Sequence, residues 1–216
     1  SVEERAAMTI QFGRRFAPDN RDRKFLLRAA APPEPRPDKK IWRIWWKGNQ
    51  GSTPQCVGYS WHARLRALPN LQRDPSPEII YAMAQRNDEW PGEDYDGSSV
   101  RGGAKALQAM GKISAYGWAF NAQDALQWVG NHGPVVLGTN WYAAMMTPGK
   151  DGLLSVKGRS VGGHAYLLLG YDDSKDLALI QNSWGSQWGL KGRAWMSYDN
   201  LDRLIHEDGE ACAPTE

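Results

Sequence analysis

The sequence predicts an α+β protein in which a helical half precedes a half built of strands. Apolar residues recur at helical spacing between residues 56 and 129, whereas short strand-like runs separated by glycine turns follow Gly133. The 216 residues suffice for one large domain or for two lobes that share a cleft. Helices first and strands second are typical of two segregated halves packed on each other.

Residues 1–40 are predicted to form an arm attached to a domain that begins near Ile41. Residues 1–4 have capping-box spacing, which favours a short first helix. Residues 19–23 are polar and predict a turn. Four prolines within residues 32–37 exclude regular helix and sheet and favour an extended strap.

Four helices are predicted in the first half of the domain. One begins at Cys56, keeps its apolar residues on one face and ends at Pro69. A second follows Ser76, a good N-cap with proline after it. The other two cover residues 98–110 and 121–129.

Four strands are predicted in the second half, at residues 134–138, 164–171, 177–181 and 193–198. Cys212 lies five residues from the end of the sequence, and we expect it to be a tail thiol without a role.

The composition gives no reason to expect a nucleic-acid or membrane partner. The formal net charge is +2, and no apolar run approaches the roughly 20 residues that cross a bilayer. Residues 41–47 mix tryptophan with basic side chains, which is compatible with a nucleic-acid surface or a packed strand, and the near-neutral charge favours the strand. Four histidines and two cysteines show no metal-ligand spacing, so we expect no metal and no cofactor.

Cys56 is the candidate nucleophile because it lies at the predicted start of a helix. Unpaired N–H groups and the helix dipole favour the thiolate there, which is the reactive form. A lone cysteine is also compatible with a small buried side chain. Gln50 favours the reactive interpretation, since across a Gly/Pro loop its amide and the Cys56 N–H can form a two-donor oxyanion hole. A thiol that must stay free favours a reducing compartment, such as the cytoplasm.

His164 and Asn182 are the candidate partners of this thiol. His164 lies at the start of an apolar strand after two glycines, and Asn182 follows the next strand. If the two strands pair, the amide oxygen of Asn182 can accept a hydrogen bond from the imidazole and fix its tautomer. Trp184 can then cover that bond, although a lone histidine in a strand is also compatible with a structural role.

These sequence blocks occur in an order that resembles the papain family of cysteine peptidases. They are Gln50–Gly51 before Cys56, then Gly163–His164–Ala165, then Asn182–Ser183–Trp184–Gly185, followed by Trp188–Gly189 and Gly192. The resemblance covers about residues 41–200 and is to compact bacterial or phage members. It implies a papain-like two-lobed fold with the active site in the cleft between a helical lobe and an antiparallel β-barrel-like lobe. The domain would span residues 41–216, with lobes at about 50–115 and 116–210.

The resemblance also implies a role for each candidate. Cys56 would be the nucleophile, His164 the general base and acid, Asn182 its orienting partner and Gln50 an oxyanion donor. The substrate would be a peptide or protein. Its cleft would be lined by Asp96, Gly97 and Ser98 on the helical side and by Gly138, Gly162, Gly163, Ala165 and Trp184 on the other. Gly138 and Gly162 are small, so we expect a roomy pocket for the second residue before the scissile bond.

Two questions stay open from the sequence. An acyl transferase or deamidase would use the same triad, and a non-catalytic peptide-binding module would use the same cleft, although the intact Gln, Cys, His and Asn favour hydrolysis. Residues 1–30 are long enough to cross the groove as an intramolecular gate, but the arm is equally compatible with a belt that only stabilises a lobe.

Overall fold

One antiparallel sheet organises the part of the chain that the structure describes, residues 10–216 of a computed structural model. The helix expected at residues 1–4 lies outside this range. The strand order is β2-β7-β3-β4-β5-β6, and β1 pairs with β4 beside this path. The strands are β1 (Lys39–Ile41), β2 (Tyr116–Ala119), β3 (Val135–Tyr142), β4 (Ser160–Asp172), β5 (Leu177–Gln181), β6 (Arg193–Ser197) and β7 (Glu210–Pro214).

The four helices expected in the first half are confirmed, and three of them begin at a polar cap. The side chains of Ser76, Ser99 and Asn121 each accept a hydrogen bond from the N–H three residues later, which satisfies a donor that the helix leaves free. The helices are α1 (Leu27–Ala30), α2 (Cys56–Arg66), α3 (Pro77–Asn87), α4 (Val100–Ala109), α5 (Ala122–Asn131) and α6 (Tyr198–His206).

The sheet separates two hydrophobic cores because its side chains alternate between its faces. In β4, Leu167 and Leu169 face a core shared with α2 and α4, whereas Tyr166 and Leu168 face a core shared with α5 and α6. Because β4 contributes to both cores, it fixes the helical half relative to the strand half.

The expectation for Cys212 was wrong, since this thiol is fully buried in the middle of β7. There it pairs in register with Trp118 of β2 and Val136 of β3. Strands β2 and β7 and helix α6 were not expected from the sequence. The side chains around Cys212 are small, so β7 lacks the alternation of large apolar residues that signals a strand.

The proline strap is extended and packs against the outside of the strand half. The side chains of Gln127 and Asn131 donate hydrogen bonds to the carbonyl of Glu34, at 2.6 and 3.2 Å. Arg36 pairs with Asp173 at 3.0 Å. The turn expected before the strap is a 3-10 helix at Asn20–Lys24.

The aromatic stretch after β1 packs against the rest of the domain, which is the alternative that the near-neutral net charge favoured over a nucleic-acid surface. Trp42 donates its indole N–H to the carbonyl of Val129 at 2.6 Å, and Ile44 forms a bridge with Ala67. Among residues 10–216, no helix has the length and apolar character that a membrane span requires.

We expect Leu167→Ala to lower the free energy of unfolding by about 2–5 kcal/mol, because this fully buried side chain lies in the strand common to both cores. The matched control is Leu190→Ala, where the leucine is 43% exposed and the loss should stay below about 1 kcal/mol. Urea unfolding measures both, and equal losses would contradict the role of β4.

Candidate active site

Cys56 is the first residue of α2 and is fully buried. The preceding residue, Gln55, has a non-helical backbone, so Cys56 lies in the first turn, where the helix leaves N–H groups free. Burial raises the pKa of Cys56 to about 11, while the backbone N–H groups of Ala165, Gly13 and Val57 act in the opposite direction. At neutral pH the closed site therefore favours the neutral thiol.

His164 and Asn182 are brought together by the pairing of β4 with β5. The imidazole Nε2–H donates a hydrogen bond to Oδ1 of Asn182 at 2.8 Å. The same oxygen accepts the backbone N–H of Ser183 at 2.8 Å, which holds the amide in place. This arrangement leaves Nδ1 as the basic nitrogen of the neutral imidazole, and it has no hydrogen-bond partner within the described chain.

Aromatic rings enclose the imidazole of His164. The ring centroids of Trp184, Trp141 and Phe12 lie 4.7, 5.0 and 5.9 Å from it. Burial lowers the pKa of His164 to about 4, and the hydrogen bond to Asn182 acts in the opposite direction. Trp184 thus packs against the imidazole that donates this hydrogen bond.

Gln50 is buried and ties the loop before α2 to the segment of Asn182. Its backbone N–H donates a hydrogen bond to the carbonyl of Ser183 at 2.8 Å, and its side-chain oxygen accepts a hydrogen bond from the hydroxyl of Ser183 at 2.8 Å. The side-chain nitrogen donates to the carbonyl of Thr53 at 2.9 Å and reaches the carbonyl of Gln11 at 3.5 Å. The structure thus joins the segments that carry Gln50, Cys56, His164 and Asn182.

Residues 11–15 of the arm cross the cleft and are bonded to both of its walls. On the helical side, Ser98 N–H donates to the carbonyl of Gly13 and Arg15 N–H donates to the carbonyl of Ser98, both at 2.8 Å. On the strand side, Arg14 N–H donates to the carbonyl of Gly163 at 3.1 Å. This segment contacts the Cys56 sulfur through the backbone of Gly13 and the His164 ring through Phe12, and both Cys56 and His164 are fully buried.

The glycines expected to line the cleft lie in close contact with the arm. A Cβ at Gly97 would collide with the carbonyl of Gly13, and one at Gly162 would lie 2.5 Å from Cγ of Phe12. Gly97 also has a φ of +90°, which favours glycine independently. Small residues on both walls therefore leave the space that an extended chain fills.

The remaining expected cleft residues differ in how they meet the arm. Gly138 and Gly163 lie against Arg14, and Ser98 pairs with the arm through its backbone. Ala165 is buried in the core on the helical side of the sheet. Asp96 is exposed, one residue before the cleft-facing Gly97.

A buried ion pair that was not expected from the sequence lies at one side of the cleft. Nε of Arg14 lies 3.2 Å from Oε1 of Glu210, and the two side chains are 2% and 6% exposed. Glu210 begins β7, and because that strand was not expected, its carboxylate could not be placed.

The comparisons with known proteins agree with this geometry. A family model described as papain family cysteine protease matches residues 81–212, which is more than half of the chain.

Two curated proteins match shorter parts of the chain. Gamete and mating-type specific protein A of Dictyostelium discoideum is 36% identical over 93 residues, which cover 42% of this chain and 20% of that protein. An uncharacterized peptidase C1-like protein of Acanthamoeba polyphaga mimivirus is 31% identical over 70 residues, covering 30% of this chain and 22% of that protein. The matched parts thus span about a fifth of these relatives.

Solved structures match over almost the whole chain. Xylellain, a cysteine protease from Xylella fastidiosa, has a TM-score of 0.71 at 19% identity and is covered to 95%, as is this chain. Procathepsin L 3 of the Tenebrio molitor larval midgut has a TM-score of 0.66 at 17% identity, over 95% of this chain and 75% of that one. At these identities the likeness shows the fold, and the expected papain-like two-lobed α+β fold is confirmed.

We expect His164 to lower the stability of the protein in acid. Its pKa is lower in the folded chain, at about 4, than its ordinary 6.5, so the unfolded chain binds more protons between these pH values. Stability should therefore fall as the pH drops through this window, by about 3 kcal/mol in total. Urea unfolding of the wild type and of His164→Gln at several pH values isolates this effect. Parallel stability curves for the two proteins would contradict it.

Proposed function

This chain belongs to the papain family of cysteine proteases, and we propose that it is an active cysteine peptidase with Cys56 as its nucleophile. The observation that carries the proposal is the 2.8 Å hydrogen bond between His164 and Asn182. It supports an imidazole whose Nδ1 is free to take a proton, and the Cys56 sulfur contacts the backbone N–H of Ala165, the residue that follows His164. An amide oriented in this way fixes the tautomer without adding a charge.

The proposed reaction begins when Nδ1 of His164 takes the proton of the Cys56 thiol. The sulfur attacks the carbonyl carbon of the peptide bond, and the resulting oxyanion accepts hydrogen bonds from the Gln50 side chain and the Cys56 N–H. The C–N bond then breaks as His164 gives its proton to the leaving amine, which leaves a thioester. Water, deprotonated by His164, attacks the thioester and releases the carboxylic acid and the thiol.

The same four groups would serve an acyl transferase or a deamidase, in which only the acceptor or the substrate amide differs. Mass spectrometry of the products distinguishes these reactions from peptide hydrolysis, and a non-catalytic binding module would give no product.

We also propose that residues 11–15 act as an intramolecular gate. Their hydrogen bonds to both walls of the cleft support this role, as does the contact of the Gln11 carbonyl with the Gln50 amide at 3.5 Å. Burial under the arm opposes the charged forms of both Cys56 and His164. Release of the segment would hydrate the pair and favour the thiolate.

We expect Cys56→Ala to abolish peptide hydrolysis, because every step of the proposed reaction passes through its thiol. Gln50→Ala should retain some activity but raise the barrier by about 3 kcal/mol, the typical effect of losing one oxyanion donor. Hydrolysis of a fluorogenic peptide measures both variants, and circular dichroism checks that they are folded. Substantial turnover by Cys56→Ala would refute the assignment.

We expect Gly13→Ala to speed up hydrolysis of small peptides, because its Cβ would collide with the Pro54 carbonyl and push the arm out of the cleft. The matched control is Gly149→Ala, whose Cβ would meet its nearest neighbour at an ordinary 3.7 Å. The readouts are kcat/KM and the melting temperature. Unchanged turnover with a lower melting temperature would show that this segment is a stabilising belt instead.

A further inference from the structure

The exposed side chains of residues 39–47 form a stripe in which basic and apolar groups alternate. The even-numbered residues of this segment face inward, and Trp42, Ile44 and Trp46 pack against the core on the helical side of the sheet. The odd-numbered residues are exposed, and we call them the basic stripe: Lys39, Ile41, Arg43, Trp45 and Lys47. This alternation has the two-residue period of an extended chain.

Most charges of the basic stripe have no partner. Lys39 lies 3.3 Å from a carboxylate oxygen of Asp172. Arg43 and Lys47 form no ion pair with any residue between 10 and 216. No acidic residue occurs between residues 39 and 49, so nothing nearby in the sequence neutralises these two charges.

The end of α2 adds positive charge beside the stripe. Ile44 bridges Ala67, and the guanidinium of Arg66 donates a hydrogen bond to the carbonyl of Trp45 at 3.0 Å. Residues 39–49 and 64–73 together hold seven lysines and arginines and no acidic residue. The net charge of the chain is only +2, so the rest of it carries −5 and the positive charge is concentrated at these two adjoining segments.

A buried arginine at this end of α2 also lacks a carboxylate. Arg64 is 2% exposed and lies three residues before Ala67. Its Nη1 donates a hydrogen bond to Oδ1 of Asn70 at 2.6 Å, whereas its Nε has no partner within the described chain. Burial lowers the pKa of Arg64 to about 10, which leaves it charged at neutral pH. A buried charge is screened less than an exposed one, so Arg64 adds positive potential here.

The spacing of the stripe fits an extended acidic peptide. Side chains on one face of an extended chain recur at every second residue, about 6.6 Å apart. An acidic, an apolar and an acidic side chain at that spacing can therefore meet Arg43, Trp45 and Lys47 in register. Trp45 is 51% exposed, so half of its surface is available to the apolar side chain.

Two observations favour a peptide over other anionic partners. Single-stranded nucleic acids bind largely by stacking bases on aromatic rings. The rings of Trp42 and Trp45 are already covered on one side, by Lys40 at 4.2 Å and by Arg43 at 4.9 Å from the ring centres. A long polyanion or an anionic membrane would also meet the negative charge of the rest of the chain, whereas a short acidic segment would not.

We propose that the basic stripe is an interaction surface for an extended acidic segment of a partner protein, which binds Arg43 and Lys47 through its carboxylates and Trp45 through an apolar side chain between them. None of these three residues takes part in the proposed peptidase reaction. The inference therefore stands or falls independently of that reaction.

The experiment measures binding to the full chain with Cys56→Ala, which prevents hydrolysis of the probe. The probe is a fluorescein-labelled peptide with glutamate, leucine and glutamate at every second position and serine between them. Fluorescence anisotropy should show about 10-fold tighter binding than for the same peptide with glutamine in place of glutamate. Binding should weaken between about 0.1 and 1 M salt, because the Debye length falls from about 10 to 3 Å.

Arg43→Glu combined with Lys47→Glu should weaken binding of the glutamate peptide by about 10-fold or more, because like charges then face each other. The matched control is Lys150→Glu combined with Lys157→Glu, which changes the net charge equally at two exposed positions of the strand half. The control should bind the peptide as the parent protein does. Thermal unfolding checks that both are folded, and glutamine replaces glutamate at residues 43 and 47 if the first variant is not.

Equal binding of the glutamate and glutamine peptides, or binding that survives the change at Arg43 and Lys47, would overturn the proposal. Tighter binding of a thymidine oligonucleotide or of phosphatidylserine vesicles than of the glutamate peptide would also overturn it. A second copy of the chain is the remaining alternative, since residues 88–96 carry five carboxylates. Sedimentation that shows a dimer in the parent protein, and none after the change at Arg43 and Lys47, would replace the partner protein by that copy.

Discussion

The pairing of β4 with β5 is the constraint on which the site depends. It brings His164 of one strand against Asn182 at the end of the other, where a 2.8 Å hydrogen bond joins the two side chains. A slip of one residue would turn every side chain of β4 to the opposite face. The apolar residues of β4 face two different cores, so such a slip would also expose both, and the cores thereby hold the imidazole in place.

The cleft is closed by backbone more than by side chains. Glycines on both walls admit the extended segment 11–15, and carbonyl and N–H groups on the walls complete its hydrogen bonds. Backbone recognition of this kind is indifferent to sequence. The arm adds a side-chain contact to it, because Arg14 forms a buried ion pair with Glu210.

The sequence predicted those parts of the molecule that carry a local signal. Helix caps such as Ser76 and strongly apolar strands such as β4 can be recognised from a few consecutive residues. The blocks around Cys56, His164 and Asn182 carry the family resemblance. Strand β7 could not be predicted in this way, because its side chains are small and give no local signal. It lies between β2 and β3, which are about 95 and 75 residues away in the sequence. Its carboxylate, and the arginine that meets it from the arm, depend on that long-range pairing.

The proline strap affects how residues 11–15 of the arm compete with other ligands for the cleft. It is fastened through Glu34 to α5 and through Arg36 to Asp173, directly after β4, so it tethers residues 11–15 to the domain. A ligand on such a tether has a fixed effective concentration, on the order of millimolar for a short linker. Occupancy of the cleft by residues 11–15 is therefore independent of dilution. In the proposed gate, a substrate would have to outcompete a ligand that is always present unless the chain is cut between the segment and its strap.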